Sequence, residues 1–271
     1  MTSTLRYPGA TAHAAGRDAG TRALALVGEL MIIAGTVIGL FVLWQLFYTD
    51  VTAGREQARV LDSLPWAQVN AVRAPAASGE PGEPPVSVAI NTIPPEAQLD
   101  PATAPVMKEP RHAATFATMY VPRWGIDYVK PISEGVTRYD VLDRLGIGHY
   151  PGTGMPGALG NFAISAHRTT YAKPFSRIDE LMVGDALVIQ TEDAWYVYRV
   201  TSHEIVLPTQ VEVIAPVPDH PGRTPNDHYI TLTSCHPRFS ASHRYVVHGV
   251  LEYWSPTGAG VPPEIVEGAS S

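Results

Sequence analysis

The chain has 271 residues, of which 45% are hydrophobic and 17% are charged, so there is ample material for a buried core. Its 19 Lys and Arg against 26 Asp and Glu give a formal net charge of -7, and this acidic balance argues against nucleic acid as a partner, which requires a basic face. The one cysteine, Cys235, excludes an internal disulfide and a Cys-rich zinc site.

The first 48 residues predict a membrane anchor. Residues 1–22, rich in Ala, Gly and Thr, are expected to form a disordered tail. The apolar run LMIIAGTVIGLFVLWQLFY at 30–48 would span about 28 Å as a helix, close to the roughly 30 Å hydrocarbon core of a bilayer. A cleaved signal peptide is the alternative, but its apolar region is usually about 7 to 15 residues long and ends at small residues. We therefore predict one retained transmembrane helix at 23–48.

The arginines on either side of this helix indicate its orientation. Arg6, Arg17 and Arg22 precede the helix, and Arg55 and Arg59 follow it. The positive-inside bias is weak, but it favours a cytoplasmic N-terminus. The predicted location is the cell membrane, crossed once, with everything after the helix outside the cytoplasm.

Residues 49–113 predict an extracytoplasmic Pro-rich stalk. Nine prolines lie between residues 72 and 111, and such a stretch sustains neither a helix nor a central strand. If it were extended at about 3.1 Å per residue, these residues would reach on the order of 120 Å. We expect a spacer that carries the next domain away from the membrane. Within it, REQARVLDSL has weak amphipathic spacing, so a continuation of the helix through 50–71 is the alternative for that segment.

Residues 114–254 predict one all-β domain, followed by a flexible C-terminal tail at 255–271. Short β-rich runs separated by turn residues are typical of a barrel or a sandwich. Two stretches with helical spacing, TRYDVLDRLGIG and FSRIDELMVGD, predict short helices that stop at Gly146 and Gly184. The β-rich runs are TFATMYVP, DYVKPI, NFAISAH, DALVIQT, WYVYRVTSHEIV, YITLTSC and RYVVHGVLEYW.

The lone thiol of Cys235 has two interpretations. A free cysteine is most often buried and inert. The position of Cys235 favours a reactive thiol, because it ends the predicted strand YITLTS and the following HPRFS cannot continue that strand. Loops at strand ends commonly carry functional sites. A useful thiolate also requires a base or a cation beside it.

His167 and Arg244 are the best candidates for these partners. His167 ends another predicted strand in GNFAISAHRTTY, whereas His248 alternates with apolar neighbours in RYVVHGV and is expected to be structural. Arg244 begins a strand and is preferred to Arg238 in the loop, since a strand holds a side chain more rigidly. The sequence leaves open whether the strand ends of His167 and Cys235 meet.

Three motifs together resemble the sortase family, and within it the class E sortases of high-GC Gram-positive bacteria. TLTSC at 231–235 is similar to the signature that ends in the nucleophile, and GNFAISAHR at 160–168 is similar to the strand that ends in the histidine. Arg244, just before YVVHG, matches the arginine at the start of the last strand. One departure is Ser234, where the family has Thr. The resemblance covers about residues 115–254 and implies a closed eight-stranded β-barrel with short helices.

The resemblance also implies a reaction. It makes the chain a membrane-anchored cysteine transpeptidase that cleaves a C-terminal sorting signal, LAxTG or LPxTG-like, between Thr and Gly through a thioacyl intermediate. Cys235 would be the nucleophile, His167 the proton donor and acceptor, and Arg244 the donor to the oxyanion or the substrate backbone. The implied substrate contacts are Tyr150, Ser234 and Thr233.

The implied partners are proteins with such sorting signals, an amine on a cell-wall precursor and the lipid bilayer. From the residues themselves we expect no cofactor and no metal site, because His236 and His243 lack helical spacing and a carboxylate partner. Similar class E enzymes favour LAxTG, a choice linked to a Tyr in the loop before a strand, and Tyr150 in GHYPGTGMPG is the candidate for it. A structural Tyr that caps the rim of the barrel is the alternative. A pilin-polymerising sortase with a Lys acceptor is a competing interpretation, although the pre-barrel segment DPATAPVMKEPRH lacks the aromatic residue of that group's lid. An anchored, non-catalytic β binding module and a cysteine hydrolase are two further competing interpretations.

Overall fold

The structure, a computed structural model, describes residues 19–67 and 91–266. The chain forms two compact units, Met1–Gln45 and Leu46–Ser271. Most of the tail that the sequence predicts at 1–22 lies outside the described residues.

The first unit contains helix α1 (Ala19–Leu43). Within the described residues, its segment Gly20–Leu43 is the one helix long and apolar enough to cross a membrane, and none of it is buried. Thr36 donates its hydroxyl to the carbonyl of Ile32 at 2.8 Å, so this polar group is satisfied within the helix. The end of the predicted span differs, because Trp44–Tyr48 forms a π-helical turn.

The second unit is a closed barrel. Around the barrel the strand order is β1-β2-β3-β4-β7-β8-β6-β5, with parallel pairing between β2 and β3 and between β4 and β7. The strands are β1 (Thr115–Tyr120), β2 (Val129–Glu134), β3 (Ile147–His149), β4 (Gly160–Ser165), β5 (Ala186–Gln190), β6 (Ala194–Val206), β7 (His228–His236) and β8 (His243–Pro256).

The closed eight-stranded barrel confirms the predicted fold class. Strand β3 did not stand out in the sequence, because three residues are too few to show an alternating pattern. It also follows directly on a stretch with helical spacing. The two predicted helices are single turns, Arg138–Leu142 of π type and Ile178–Glu180 of 3-10 type.

Alternation along the strands separates the core from an outer face. On β7, Ile230 and Leu232 are buried in the main apolar core. Side chains on a strand point alternately to its two faces, so Thr231, Thr233 and Cys235 point outward. Strands β4 and β8, the neighbours of β7, alternate in the same way, and the three strands therefore form one continuous outer surface.

Residues from the predicted stalk and tail pack against the barrel. Ile93 is 2% exposed and belongs to a second apolar cluster with Val261 and Ile265. Leu99 forms a backbone bridge with Trp254 on β8. Through these contacts, apolar residues from both ends of the unit cover one side of the barrel.

This packing differs from the extended spacer and flexible tail that the sequence predicts. From residue 91 onward the spacer lies against the barrel, and the tail includes a short helix at Pro263–Val266. The physical reason is that isolated apolar side chains between the prolines bury against the strands, which a count of prolines does not reveal. Residues 68–90 and 267–271 lie outside the described part of the chain.

Candidate active site

The parallel pairing of β4 with β7 brings two predicted site residues together. The last pair in register is Ser165 with Thr233, and the amide of Ala166 still donates to the carbonyl of Thr233 at 3.3 Å beyond it. Two residues past that pair lie His167 and Cys235. Neighbouring strands are roughly 4.8 Å apart, so we conclude that the imidazole and the thiol lie at the same end of the outer face.

Arg244 lies on the other side of Cys235. The two residues are directly opposite in the antiparallel pairing of β7 and β8, an arrangement in which side chains share a face with Cβ atoms about 4.5–5.5 Å apart. Nη1 of Arg244 donates to the carbonyls of Ala241 and His243, each at 3.0 Å. Three strands thus bring the predicted thiol, imidazole and guanidinium to one strand-end surface, which the sequence left open.

Asp143 holds the imidazole and was not predicted. His167 donates from Nε2 to Oδ1 of Asp143 at 2.6 Å, and this carboxylate is 8% exposed. Its other oxygen lies 3.6 Å from Nε of Arg138, and its negative charge raises the pKa of that guanidinium above the ordinary value. Nδ1 of His167 is then left for proton transfer. Asp143 lies just after a helical turn, and the sequence carries no signal that links it to His167.

Arg168, also missed in the sequence, connects the end of β4 to the backbone of β7. Its side chain is 3% exposed. Nη1 donates to the carbonyl of Cys235 at 3.3 Å and to Nδ1 of His236 at 2.9 Å. Nη2 pairs with Asp179 at 2.7 Å, and the guanidinium lies 5.7 Å from the ring centre of Tyr245. These contacts hold the backbone that carries the thiol next to the backbone that carries the imidazole.

The three predicted substrate contacts lie on different faces of the sheet. The hydroxyl of Tyr150 is hydrogen-bonded to Oγ1 of Thr233 at 2.9 Å, and Thr233 shares the face of Cys235. Ser234 is 2% exposed and donates from Oγ to the carbonyl of Ala166 at 2.8 Å. Tyr150 and Thr233 therefore lie near the thiol, whereas Ser234 joins β7 to the end of β4 inside the barrel.

Helix α2 (Thr49–Asp62) contacts the loop that follows His167. Gln57 is 1% exposed; it donates to the carbonyl of Tyr171 at 3.3 Å and accepts from Nζ of Lys130 at 3.3 Å. Asp50 accepts a hydrogen bond from the amide next to Tyr171 at 3.1 Å. The ring of Tyr171 packs on the imidazole of His167, with ring centres 5.1 Å apart. The helix therefore supports one wall of the site.

The arrangement suits nucleophilic attack on a carbonyl group. The thiol of Cys235 is half-buried, and the side chain of His167 is 18% exposed, so both are reachable from outside. A thiolate requires a neighbouring cation, an imidazolium paired with a carboxylate supplies one, and a fixed guanidinium can donate to an oxyanion. A cavity of about 380 Å³ between Trp66, Met107 and Tyr196 is lined by none of these groups.

Comparison with known proteins identifies the family. The sortase domain model matches residues 119–252. Sortase SrtE1 of Streptomyces coelicolor is 32% identical over 246 residues, which cover 89% of this chain and 60% of SrtE1. This chain thus spans less than two thirds of the length of that relative. Sortase SrtE2 of the same organism is 32% identical over 240 residues, which cover 85% of this chain and 82% of SrtE2.

Solved structures agree with this result. The SrtA sortase from Actinomyces oris is 43% identical, with a TM-score of 0.57, covering 59% of this chain and 92% of that chain. Sortase E1 from Streptomyces coelicolor, solved with a tripeptide in its active site, is 37% identical, with a TM-score of 0.53, covering 57% of this chain and 98% of that chain. These matches, together with the closed barrel, show that this chain belongs to the sortase family, whose members are cysteine transpeptidases.

Proposed function

We propose that this sortase cleaves a C-terminal sorting signal of the LAxTG or LPxTG type between Thr and Gly and transfers the protein to an amine of the cell wall. The observation that carries the proposal is the strand register, which puts Cys235, His167 and Arg244 at one end of one face. The tripeptide in the active site of the similar SrtE1 structure supports a peptide as the ligand.

In the first step, the thiolate of Cys235 attacks the carbonyl carbon of the signal's Thr. The bond between that carbon and the Gly nitrogen breaks, and the imidazolium of His167 gives its proton to the departing amine. The product is a thioester between Cys235 and the Thr. The hydrogen bond from Nε2 to Asp143 stabilises the imidazolium before the proton is given.

In the second step, an acceptor amine attacks the thioester carbonyl. His167, now neutral, takes a proton from the amine, an amide bond forms, and Cys235 leaves as a thiolate. Acyl transfer of this kind builds up negative charge on the carbonyl oxygen in both steps. Both N–H groups of Nη1 of Arg244 are directed to carbonyls, so the proposal assigns Nη2 and Nε to that oxygen or to the substrate backbone.

The proposal places the signal peptide on the outer face near Tyr150 and Thr233. The hydrogen bond between their side chains gives this part of the surface a defined shape two residues from Cys235 on β7. Tyr150 is the candidate that selects the residue before x in the motif. Ser234, buried in the barrel, contributes through the position of the strands rather than by touching the peptide.

Helix α1 is proposed as the membrane anchor, with the N-terminus in the cytoplasm and the barrel outside. Its length and its fully exposed apolar surface support this assignment. An enzyme held at the outer surface of the membrane would meet both secreted proteins and cell-wall precursors there.

The test uses the full chain in detergent, a labelled LAxTG peptide and a matching LPxTG peptide, with Gly or a diamino acid as acceptor. We expect a ligated product, and mass spectrometry without acceptor should find the peptide fragment on Cys235. Cys235→Ala and His167→Ala should give no product, whereas His220→Ala, an exposed histidine between β6 and β7, should keep most of it. Hydrolysis that no acceptor alters would instead indicate a hydrolase, and ligation retained in Cys235→Ala would refute the proposal.

A further inference from the structure

Three side chains from three parts of the chain form a second polar cluster on the outer face. Glu204 comes from β6, Asp219 from the connection between β6 and β7, and His248 from β8. One donor atom of each lies within 4.8 Å of the others. Nε2 of His248 is 3.2 Å from Oε1 of Glu204 and 3.7 Å from Oδ2 of Asp219. The sequence predicts no metal site and a purely structural His248.

A chain of hydrogen bonds determines which nitrogen of His248 carries a hydrogen. Asn161 donates from Nδ2 to the carbonyls of Val213 and Ala215, so its Oδ1 must be the acceptor for the hydroxyl of Thr231. That hydroxyl has one hydrogen to give. Nδ1 of His248, 2.9 Å away, must therefore donate to Thr231. A neutral His248 then directs the lone pair of Nε2 at the two carboxylates.

We propose that Glu204, Asp219 and His248 bind a divalent metal ion of the zinc type. An imidazole nitrogen with two carboxylate oxygens is a ligand set for zinc rather than for calcium or magnesium, which prefer oxygen alone. Bonds of about 2.0–2.2 Å to a tetrahedral ion separate its ligand atoms by roughly 3.4 Å. Nε2 of His248 lies at similar distances, 3.2 Å and 3.7 Å, from the oxygens of Glu204 and Asp219. The hydrogen bond from Nδ1 is the outer contact that metal-binding histidines usually make.

The burial of the ligands suits this assignment. The side chain of His248 is 7% exposed, whereas Glu204 and Asp219 are 36% and 43% exposed. The ion would be held by the buried imidazole from the barrel wall and would keep a position for water on the solvent side. Two carboxylates facing a neutral imidazole carry two negative charges, and a divalent ion neutralises both, whereas a proton on Nε2 neutralises one.

The site would connect the segment before β7 to the barrel wall. Asp219 is the one ligand outside the strands, and Val213 from the same connection packs on Val206 and Val246 beside the cluster. His248 pairs with Thr231, four residues before Cys235 on β7, which is about 13 Å along a strand. The ion is therefore separate from the thiol and would order the connection without touching the reacting atoms.

The test measures zinc binding directly. The full chain in detergent carries Cys235→Ala, which removes the thiol as a competing zinc ligand, and is titrated with zinc chloride by calorimetry at neutral pH. We expect one equivalent of zinc to bind and the unfolding midpoint to rise with zinc concentration. Adding Asp219→Asn or Glu204→Gln should weaken binding about tenfold or more and remove the midpoint shift. Glu212→Gln, an acid in the same connection but outside the cluster, should change neither.

Zinc binding that does not depend on these three residues would overturn the proposal. If the Cys235→Ala chain binds no zinc, or binds it unchanged when Asp219→Asn is added, the three residues do not form a metal site. Stabilisation by mild acid without any effect of zinc would show that a proton, not a metal ion, occupies the position between the carboxylates. Asp219 lies at an exposed loop position, so its replacement tests the site without placing the fold at risk.

Discussion

Asp143 sets the orientation of His167 through a single short hydrogen bond. Replacing it by Asn in the full chain keeps the size of the side chain and removes the charge. A hydrogen bond to a charged group is worth about 1.5–3 kcal/mol, so we expect kcat to fall roughly 10- to 100-fold. The measurement is the ligation rate at saturating concentrations of the peptide and the acceptor.

Asp140→Asn is the matched control. This carboxylate is exposed and pairs with His112 and Thr137 rather than with His167. These hydrogen bonds, with that of Thr137 the largest cause, lower the pKa of Asp140 to about 2. We expect the kcat of Asp140→Asn to match that of the unmodified chain. An Asp143→Asn enzyme with an unchanged kcat would show that the carboxylate does not act on His167.

Arg168 should matter for activity without touching substrate. Arg168→Ala leaves the carbonyl of Cys235 and Nδ1 of His236 without their donor, and an unsatisfied buried group costs about 1–3 kcal/mol. We expect a lower unfolding free energy by that amount in urea denaturation, and a lower kcat because one of the links between the two strand ends is lost. Arg223→Ala, at an exposed position in the connection between β6 and β7, should change both quantities little. Equal effects of the two replacements would contradict a specific role for Arg168.

Arg244 should require a guanidinium and not merely a positive charge. The guanidinium has enough N–H groups to donate to two carbonyls and to the substrate at the same time. The ammonium group of Arg244→Lys cannot reproduce this arrangement. We expect kcat/KM for the signal peptide to fall by at least about tenfold, since one such hydrogen bond is worth about 1.5–3 kcal/mol. Arg238→Lys, in the neighbouring loop, serves as the control and should retain most activity. The check is the initial rate of ligation over a range of peptide concentrations.

At the level of elements, α2 acts as a support for the loop after His167. Gln57 is the key contact, since its amide is bonded on both sides within a buried interface. Burial lowers the pKa of Lys130, one of its partners. The amide oxygen of Gln57 therefore accepts a hydrogen bond from a poorly solvated ammonium group. The helix therefore belongs to the same unit as the barrel and not to a free spacer.

Gln57→Ala should loosen this loop. We expect faster hydrogen exchange of amides at 168–177 and a kcat reduced several-fold, because Tyr171 packs on the imidazole. Arg59→Ala is the control on the same helix. Its side chain is 76% exposed and pairs with Glu56 at the surface, an interaction usually worth less than about 1 kcal/mol. Unchanged exchange in Gln57→Ala would exclude a supporting role for the helix.

At the level of the whole molecule, segments before and after the strands complete the barrel. Ile93 lies in the second apolar cluster with residues near the C-terminus. Ile93→Ala in the full chain should lower the free energy of unfolding by about 2–5 kcal/mol, measured by urea denaturation. Val106→Ala, at an exposed position, should stay within about 0.5 kcal/mol. A small effect of Ile93→Ala would mean that this segment is a spacer after all.

Local patterns in the sequence are enough to predict the apolar helix, seven of the strands, and the nucleophile, histidine and arginine candidates. Each of these follows from neighbouring residues alone: an uninterrupted apolar run, alternation of apolar and polar residues, or a polar residue where a strand must stop. The three motifs of the sortase family then predicted the closed barrel.

Which residues meet depends on the folded chain. The contact of Asp143 with His167, the link from Arg168 to Cys235 and the support from Gln57 join residues that are distant along the chain and carry no shared local pattern. The inward position of Ser234 depends on strand register, and burial of Ile93 depends on a surface made by other strands. These features arise from the parallel pairing of β4 with β7 and from barrel closure, which local patterns of hydrophobicity do not encode.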